Sequence, residues 1–263
     1  MTRVRVAASG ATLSAQVDGA GDKPWLLLSN SLAADLTMWD DQIDLLTRTH
    51  RVVRYDTRGH GQSDAPEGPY DFPMLVADMV AVLDHVGAAR ADVMGLSLGG
   101  MAALGLGLAH PSRVSRLVVC DARADGPAPF VSSWDDRIAA VSAGGMQAIL
   151  AGTRARWFTP SCPPEVLARA TAMILNTPMT GYVGCARALQ GLDYLQHLGR
   201  MQPPVLYIVG AEDLGAPKEA MAAMAAATPD ASLTILPGLA HIPNMEDPAA
   251  FAAALSGWLG AAA

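Results

Sequence analysis

The sequence predicts an α/β fold, in which a mostly parallel eight-stranded sheet carries helices on both faces and an inserted helical cap. Short apolar runs rich in Val, Ile and Leu alternate with longer helical patterns, which is typical of parallel strands joined by crossover helices. This alternation stops after Cys120 and resumes at Val205. The stretch between these points contains only helical patterns broken by Gly and Pro, and it predicts the cap.

The predicted strands start with a hairpin around Ser9-Gly10 and continue as short runs that lack the length of a helix. They cover residues 4–7, 12–17, 25–28, 52–55, 92–94, 116–120, 205–209 and 233–236. The clearest helical spacing lies in residues 73–86, where the apolar side chains fall on one stripe that we expect to face the sheet. Residues 217–227 and 249–258 are further predicted helices.

We expect one folding unit, because 263 residues with 51% apolar content suffice for a single α/β core with an insertion. Residues 1–122 and 200–263 are the predicted core, and residues 123–199 are the predicted cap, or lid.

Composition limits the partners. A net charge of −7 provides no basic surface for nucleic acid or an anionic membrane, so we expect a small-molecule ligand. No segment has the apolar length of a membrane span, and the N-terminus lacks the apolar region of a signal peptide. Cys120, Cys162 and Cys185 show no pairing or zinc-site spacing and predict buried free thiols. A reducing cytoplasm fits these features, and the sequence leaves open whether the chain forms a homodimer.

Ser97 is the candidate nucleophile. It lies in Gly95-Leu96-Ser97-Leu98-Gly99, directly after predicted strand 92–94 and at the start of a helical pattern. A serine on such a sharp turn needs strained backbone angles, and the flanking glycines remove Cβ atoms that would collide with it. A bare five-residue match is often incidental, but here the strand-to-helix context and the later acid and histidine support it.

Asp213 and His241 are the candidate acid and base. Each lies in a loop just after a predicted strand, and the order Ser, acid, His is the one that a nucleophile elbow of this kind uses. Glu212 is the rival acid, which we interpret as a solvated loop carboxylate. His60 is the rival base, and its position upstream of the serine favours a role in organising a loop.

These residues predict acyl transfer without a cofactor or a metal. His241 would accept the proton of Ser97 during attack, Asp213 would orient the imidazole, and water would then hydrolyse the acyl-enzyme. The amide of Leu98, at a helix N-terminus, is one expected oxyanion donor. Leu32, in the loop before Trp39, is the expected position of the second donor.

The sequence resembles the 3-oxoadipate enol-lactonases of the α/β-hydrolase superfamily. The segments that carry the resemblance are Ser29-Asn30-Ser31-Leu32, Met38-Trp39-Asp40, Arg54-Tyr55-Asp56-Thr57-Arg58-Gly59-His60-Gly61, Gly95-Leu96-Ser97-Leu98-Gly99-Gly100-Met101, Trp134-Asp135-Asp136-Arg137-Ile138 and Arg156-Trp157-Phe158-Thr159-Pro160. It implies an α/β-hydrolase fold with a helical lid, the triad Ser97, Asp213 and His241, and an enol-lactone substrate.

Such a substrate carries a carboxylate, which a dry pocket has to pair with a cation or with hydrogen-bond donors. Trp134 and Arg137 are the predicted substrate-binding residues. Arg123, Arg154, Arg156 and Arg187 also lie in or near the cap.

The chain departs from the family pattern at Ile242-Pro243-Asn244 and at Asp121-Ala122-Arg123, where we expect a charge pair near the nucleophile. The alternatives are a carboxylesterase or lactonase of unrelated substrate, a carbon-carbon bond hydrolase, a cofactor-free perhydrolase and, outside enzymes, a ligand-binding receptor on the same scaffold.

Overall fold

A computed structural model describes residues 2–260 and confirms the predicted eight-stranded sheet. The strands are β1 Thr2–Ala8, β2 Ala11–Asp18, β3 Trp25–Ser29, β4 Arg51–Tyr55, β5 Ala91–Leu96, β6 Val114–Cys120, β7 Val205–Gly210 and β8 Ala231–Leu236. All eight predicted runs lie within or overlap these strands. The observed strands are longer mainly at their ends, where short apolar runs carry the weakest signal.

The strand order is β1-β2-β4-β3-β5-β6-β7-β8. Only β2 runs antiparallel to its neighbours β1 and β4, and the other pairs are parallel. Every residue of β5 and β7 is buried, as expected for strands covered on both faces. The carboxyl ends of β3, β5, β6, β7 and β8 therefore meet along one edge of the sheet, which is where open α/β sheets place their sites.

Ten α-helices accompany the sheet in the described part of the chain. They are α1 Ile43–Leu46, α2 Phe72–His85, α3 Leu98–Ala109, α4 Ala128–Gly144, α5 Gln147–Trp157, α6 Pro164–Asn176, α7 Met179–Gln190, α8 Lys218–Ala227, α9 Pro243–Glu246 and α10 Pro248–Gly260. Helix α2 matches the predicted helix 73–86 within one residue at each end. It begins where the Asp71 side chain accepts a hydrogen bond from the Met74 amide, with Pro73 in the first turn.

Helices α4 to α7 occupy the region between β6 and β7 that the sequence assigns to the cap. Helix α7 approaches the loop after β4 so closely that a Cβ atom on Gly59 would overlap the Cα of Gly181. The Tyr70 amide also donates a hydrogen bond to the Gly184 carbonyl at 3.2 Å. Two glycines facing each other thus allow α7 to contact the core backbone directly. Within residues 2–260, no helix combines the length and apolar character that crossing a membrane requires.

Candidate active site

Ser97 occupies a strained turn between β5 and α3. Its φ of 55° and ψ of −117° lie outside the usual regions for a residue with a side chain. A Cβ atom on Gly95 would overlap the Gly99 carbonyl, and one on Gly99 would overlap the Ser29 carbonyl. The Gly99 amide donates to the Asn30 carbonyl at 2.9 Å, which fixes the start of α3 against the loop after β3. Both glycines are therefore required for the turn that presents the Ser97 hydroxyl.

The structure brings Ser97, His241 and Asp213 into one hydrogen-bonded chain. The Ser97 Oγ lies 2.9 Å from Nε2 of His241, and Nδ1 of His241 lies 2.8 Å from Oδ2 of Asp213. In the tautomer that suits both contacts, the Ser97 hydroxyl donates to Nε2, and the Nδ1–H donates to Asp213. The three side chains follow β5, β7 and β8, so the parallel sheet sets their spacing.

Asp213 carries its negative charge inside the protein. Burial on its own would raise its pKa, but the charge and hydrogen bond of His241 and the amides of Gly215 and Ala216 outweigh burial and hold the pKa below its usual value. The Gly215 amide donates to Oδ1 at 2.6 Å. Asp213 is consequently an anion that can stabilise an imidazolium at His241.

Two backbone amides near Ser97 have no hydrogen-bond acceptor among residues 2–260. They belong to Leu98, the first residue of α3, and to Leu32, which lines the same cavity as Ser97. The first N–H groups of a helix lack intrahelical partners, and the helix dipole adds positive potential there. The structure thus leaves both amides that the sequence nominates as oxyanion donors available to a ligand.

His60 holds the loop that contains Leu32. Its Nε2 accepts a hydrogen bond from the Ala33 amide at 3.0 Å, and its Nδ1–H donates to the Arg58 carbonyl at 3.1 Å. Burial lowers the pKa of His60 to about 4, so the ring is neutral at pH 7. His60 lies outside the Ser97 hydrogen-bonded chain and, as the sequence favours, organises a loop. Glu212 also lies outside that chain.

Asn30 and Asp56 also hold the loop after β3 in place. Asn30 donates from Nδ2 to the Tyr55 carbonyl at 2.8 Å and accepts from Trp39 Nε1 at 2.9 Å. Asp56 accepts from the amides of Leu36 and Gln62 at 2.8 and 2.9 Å. These contacts join the loops after β3 and β4.

Ser97 and His241 open onto a cavity of about 400 Å³, a size that suits a small molecule. Its walls come from the loop after β3, the loop after β7 and the cap helices α4, α5 and α7. Trp134 lines this cavity, and its buried Nε1 has no hydrogen-bond partner among the described residues. Within α4, the Trp134 ring packs edge-to-face against Phe130, which lines the same cavity.

Three arginines line this cavity, and two of them have no acidic partner among residues 2–260. Arg137 stacks over the Trp134 ring at 4.2 Å, and Arg156 enters from α5. Burial lowers the pKa of both guanidinium groups, and Arg156 lowers that of Arg137 further because the two cations are close. Arg123 is paired with Asp125 at 2.8 Å. An anionic ligand is the natural partner for the two uncompensated cations.

The expected charge pair at Asp121-Ala122-Arg123 is wrong in its geometry. Asp121 is fully buried with a φ of 45°, and Arg123 pairs with Asp125 instead. One oxygen of Asp121 accepts from the Gly210 amide at 2.8 Å. A carboxyl oxygen of Asp121, a carboxyl oxygen of Asp213 and a ring nitrogen of His241 thus lie within 4.8 Å of one another, a cluster that the sequence analysis missed. The adjacent ends of β6 and β7 would have indicated it.

Arg187 and the three cysteines do not line this cavity. Arg187 is exposed and pairs with Asp135 at 3.0 Å. Cys120, Cys162 and Cys185 are free and buried, as expected.

Comparison with known proteins identifies the class. The family model for the α/β hydrolase fold matches residues 24–248. The 3-oxoadipate enol-lactonase 2 of Acinetobacter baylyi is 34% identical over 237 residues, which cover 89% of this chain and 87% of that protein. The chain therefore belongs to the α/β-hydrolase family.

Solved structures place it near particular members of that family. The enol-lactonase from Burkholderia xenovorans LB400 superposes with a TM-score of 0.94 at 34% identity, covering 98% of this chain and 100% of that one. A hydrolase from Pseudomonas aeruginosa PA01 gives a TM-score of 0.93 at 38% identity, covering 98% of both chains. These comparisons confirm the predicted fold and the resemblance to the enol-lactonases, and the chain is an enzyme of the hydrolase class.

Proposed function

We propose that this enzyme is a serine hydrolase that opens a carboxylate-bearing lactone or ester through an acyl-enzyme formed on Ser97. The chain is a hydrolase of carboxylic ester bonds, similar to proteins named 3-oxoadipate enol-lactonase. The observation that carries the serine mechanism is the chain of contacts of 2.9 and 2.8 Å from Ser97 through His241 to Asp213.

The reaction would proceed in two steps. Ser97 attacks the carbonyl carbon while Nε2 of His241 takes the hydroxyl proton, and the amides of Leu32 and Leu98 stabilise the oxyanion. His241 then protonates the leaving oxygen, and the ring opens. A water that loses its proton to His241 next attacks the acyl carbon. His241 then returns that proton to the Ser97 oxygen as the acid is released, which restores the free enzyme.

The substrate class follows from the cavity. Arg137 and Arg156 provide two uncompensated positive charges in the cavity onto which Ser97 opens, although the protein as a whole has a net charge of −7. A substrate carboxylate would neutralise this local charge, and an enol lactone of the 3-oxoadipate type combines such a carboxylate with an ester bond. We assign residues 123–199 as the lid that carries these arginines and Trp134. We also place the enzyme in the cytoplasm, where its free buried thiols would stay reduced.

A carboxylesterase of broader substrate range is the second candidate, because the mouth of the cavity includes Leu214, whose surface is 73% exposed. An apolar residue at that place would tolerate a longer leaving group.

Covalent labelling tests the nucleophile. A fluorophosphonate should label wild-type protein once, at Ser97, and Ser97→Ala should abolish both the labelling and the hydrolysis of p-nitrophenyl acetate. Ser133→Ala is the matched control, because Ser133 lines the same cavity but its hydroxyl donates to the Phe130 carbonyl and not to His241. Folded wild-type protein that resists labelling would favour a receptor, and turnover retained in Ser97→Ala would place the nucleophile elsewhere.

A further inference from the structure

Asp121 is a buried carboxyl group that the proposed reaction does not use. The residue is fully buried at the end of β6, and its backbone N–H donates to the Ile208 carbonyl of β7 at 2.9 Å. Its Oδ1 accepts from the Gly210 amide at 2.8 Å, whereas its Oδ2 is buried without a hydrogen-bond donor among residues 2–260. An ionised carboxylate in that position would leave half of its charge uncompensated.

The neighbour of Asp121 decides where the proton lies. One carboxyl oxygen each of Asp121 and Asp213 and a ring nitrogen of His241 lie within 4.8 Å of one another. Two carboxyl groups at such a short distance do not both ionise in a buried site. Asp213 receives the His241 Nδ1–H and the Gly215 amide, at 2.8 and 2.6 Å. Asp121 receives only the Gly210 amide. Asp213 is therefore the anion of the pair, and the proton belongs to Asp121.

We propose that Asp121 is a positioning residue, a protonated carboxylic acid whose Oδ2–H donates a hydrogen bond to the Asp213 carboxylate. Asp213 then receives donors from His241, Gly215 and Asp121, which together restrict its rotation and hold its Oδ2 toward Nδ1 of His241. The role rests on the proposed triad. It satisfies the oxygen of Asp121 that otherwise has no partner, and it needs no further ion.

The electrostatic surroundings of Asp121 agree with this assignment. Burial raises the pKa of Asp121 well above its usual value, and the negative charges of Asp213 and Glu246 raise it further, against the single opposing hydrogen bond from Gly210. The other titratable groups that face it are His241, across Asp213, and the thiol of Cys120, whose own pKa burial raises. These surroundings favour the neutral form of Asp121.

The replacement Asp121→Asn tests the protonation state. Asparagine adopts positive φ more readily than most residues, keeps an oxygen for the Gly210 amide and supplies a permanent N–H donor to Asp213. We expect kcat/KM for p-nitrophenyl acetate within about threefold of wild type and an acid limb of the pH profile displaced by less than about 0.3 pH units. If Asp121 were ionised, the same change would remove a negative charge beside His241, and the acid limb would move to lower pH by about one unit or more.

Asp121→Ala removes the donor. We expect kcat to fall about tenfold with little change in KM, because the orientation of His241 matters in the transition state more than in substrate binding. Asp213→Asn is the matched comparison, since the same chemical change at the neighbouring carboxyl group should lower kcat by about ten-thousandfold. An Asp121→Ala enzyme with wild-type kcat would overturn the proposal.

Infrared spectroscopy gives a readout that does not depend on the alanine variant folding. The difference spectrum of wild type minus Asp121→Asn at pH 7 should contain the C=O band of a protonated carboxylic acid, and subtraction removes the contributions of other buried carboxyl groups such as Asp56. A carboxylate band in its place would refute the assignment. So would activity that a chelator abolishes and a divalent cation restores in wild type only, because the cluster would then hold a metal ion. Failure of the triad itself is distinguishable, since Ser97 would then resist the fluorophosphonate.

Discussion

His60 offers the sharpest test of how the loop after β3 is held. Its ring satisfies two backbone groups, the Ala33 amide at 3.0 Å and the Arg58 carbonyl at 3.1 Å, in an environment without exposed surface. Replacing His60 by Phe fills the volume but leaves both groups unpaired. Each buried unpaired group costs about 1–3 kcal/mol, so the loop should move until water or another group satisfies them.

The expected kinetic effect follows from Leu32, the neighbour of Ala33. Loss of one oxyanion donor lowers turnover by about a hundred- to thousandfold, which is the upper limit for His60→Phe if the Leu32 amide leaves its place entirely. We expect kcat to fall at least about tenfold while KM changes little, because the oxyanion contact forms only in the transition state. His60→Gln is the conservative control, since its amide can accept from Ala33 and donate to Arg58.

Wild type and His60→Gln should also differ in how their stability depends on pH. The pKa of His60 is about 4 in the folded protein and 6.5 in an unfolded chain, so the unfolded state gains a proton first as the pH falls. The stability that neutral His60 contributes is complete above pH 6.5 and is lost progressively as the pH falls toward 4. Between pH 7.5 and pH 5, wild type should lose about 2 kcal/mol more than His60→Gln, measured by urea unfolding at each pH.

The reasoning on His60 fails on either of two results. A folded His60→Phe enzyme whose kcat stays within threefold of wild type would show that this ring does not hold the Leu32 amide. Equal acid sensitivity of wild type and His60→Gln would show that the imidazole is not neutral and buried as the structure places it.

Two further predictions concern the cavity and the lid. Arg156→Met and Arg137→Met should each lower kcat/KM for a carboxylate-bearing lactone about ten- to hundredfold and leave kcat/KM for p-nitrophenyl acetate nearly unchanged. Arg187→Met is the control outside the cavity and should change neither value. Equal losses on both substrates would contradict a carboxylate site. Gly59→Ala should lower the free energy of unfolding by at least about 2 kcal/mol, because the added methyl group meets helix α7. Gly87 also has a positive φ but lies in open space, so Gly87→Ala should lower the free energy of unfolding by only about 1 kcal/mol, measured in urea. Similar losses at the two positions would argue against the close approach of α7 to Gly59.

The features that the sequence predicts well are those that local backbone chemistry determines. Gly95 and Gly99 predict the turn at Ser97, because only glycine fits against the Gly99 and Ser29 carbonyls. The ends of parallel strands likewise place Asp213 and His241 on the same edge as Ser97. In each case the residue type at one position is restricted by its own turn, so the signal is readable without knowledge of distant contacts.

The features that sequence analysis misses depend on how separate elements orient side chains. The sequence predicts a charge pair at Asp121 and Arg123 near the nucleophile, but Arg123 pairs with Asp125, and Asp121 accepts from the Gly210 amide. The sequence likewise does not distinguish Arg156, which lines the cavity, from Arg187, which is exposed and pairs with Asp135. Helical periodicity alone does not indicate which side of a lid covers the nucleophile.

Backbone strain in the described residues is confined to the active site. Among residues 2–260, the non-glycine residues with positive φ are Ala33, Ser97 and Asp121, at 65°, 55° and 45°. They follow β3, β5 and β6, which are consecutive in the sheet, and they lie in turn beside the Leu32 amide, at the nucleophile and behind Asp213. Each costs about 1–2 kcal/mol, which the buried sheet has to offset. Since three adjacent strands impose all three conformations, the geometry around Ser97 depends on the sheet as a whole.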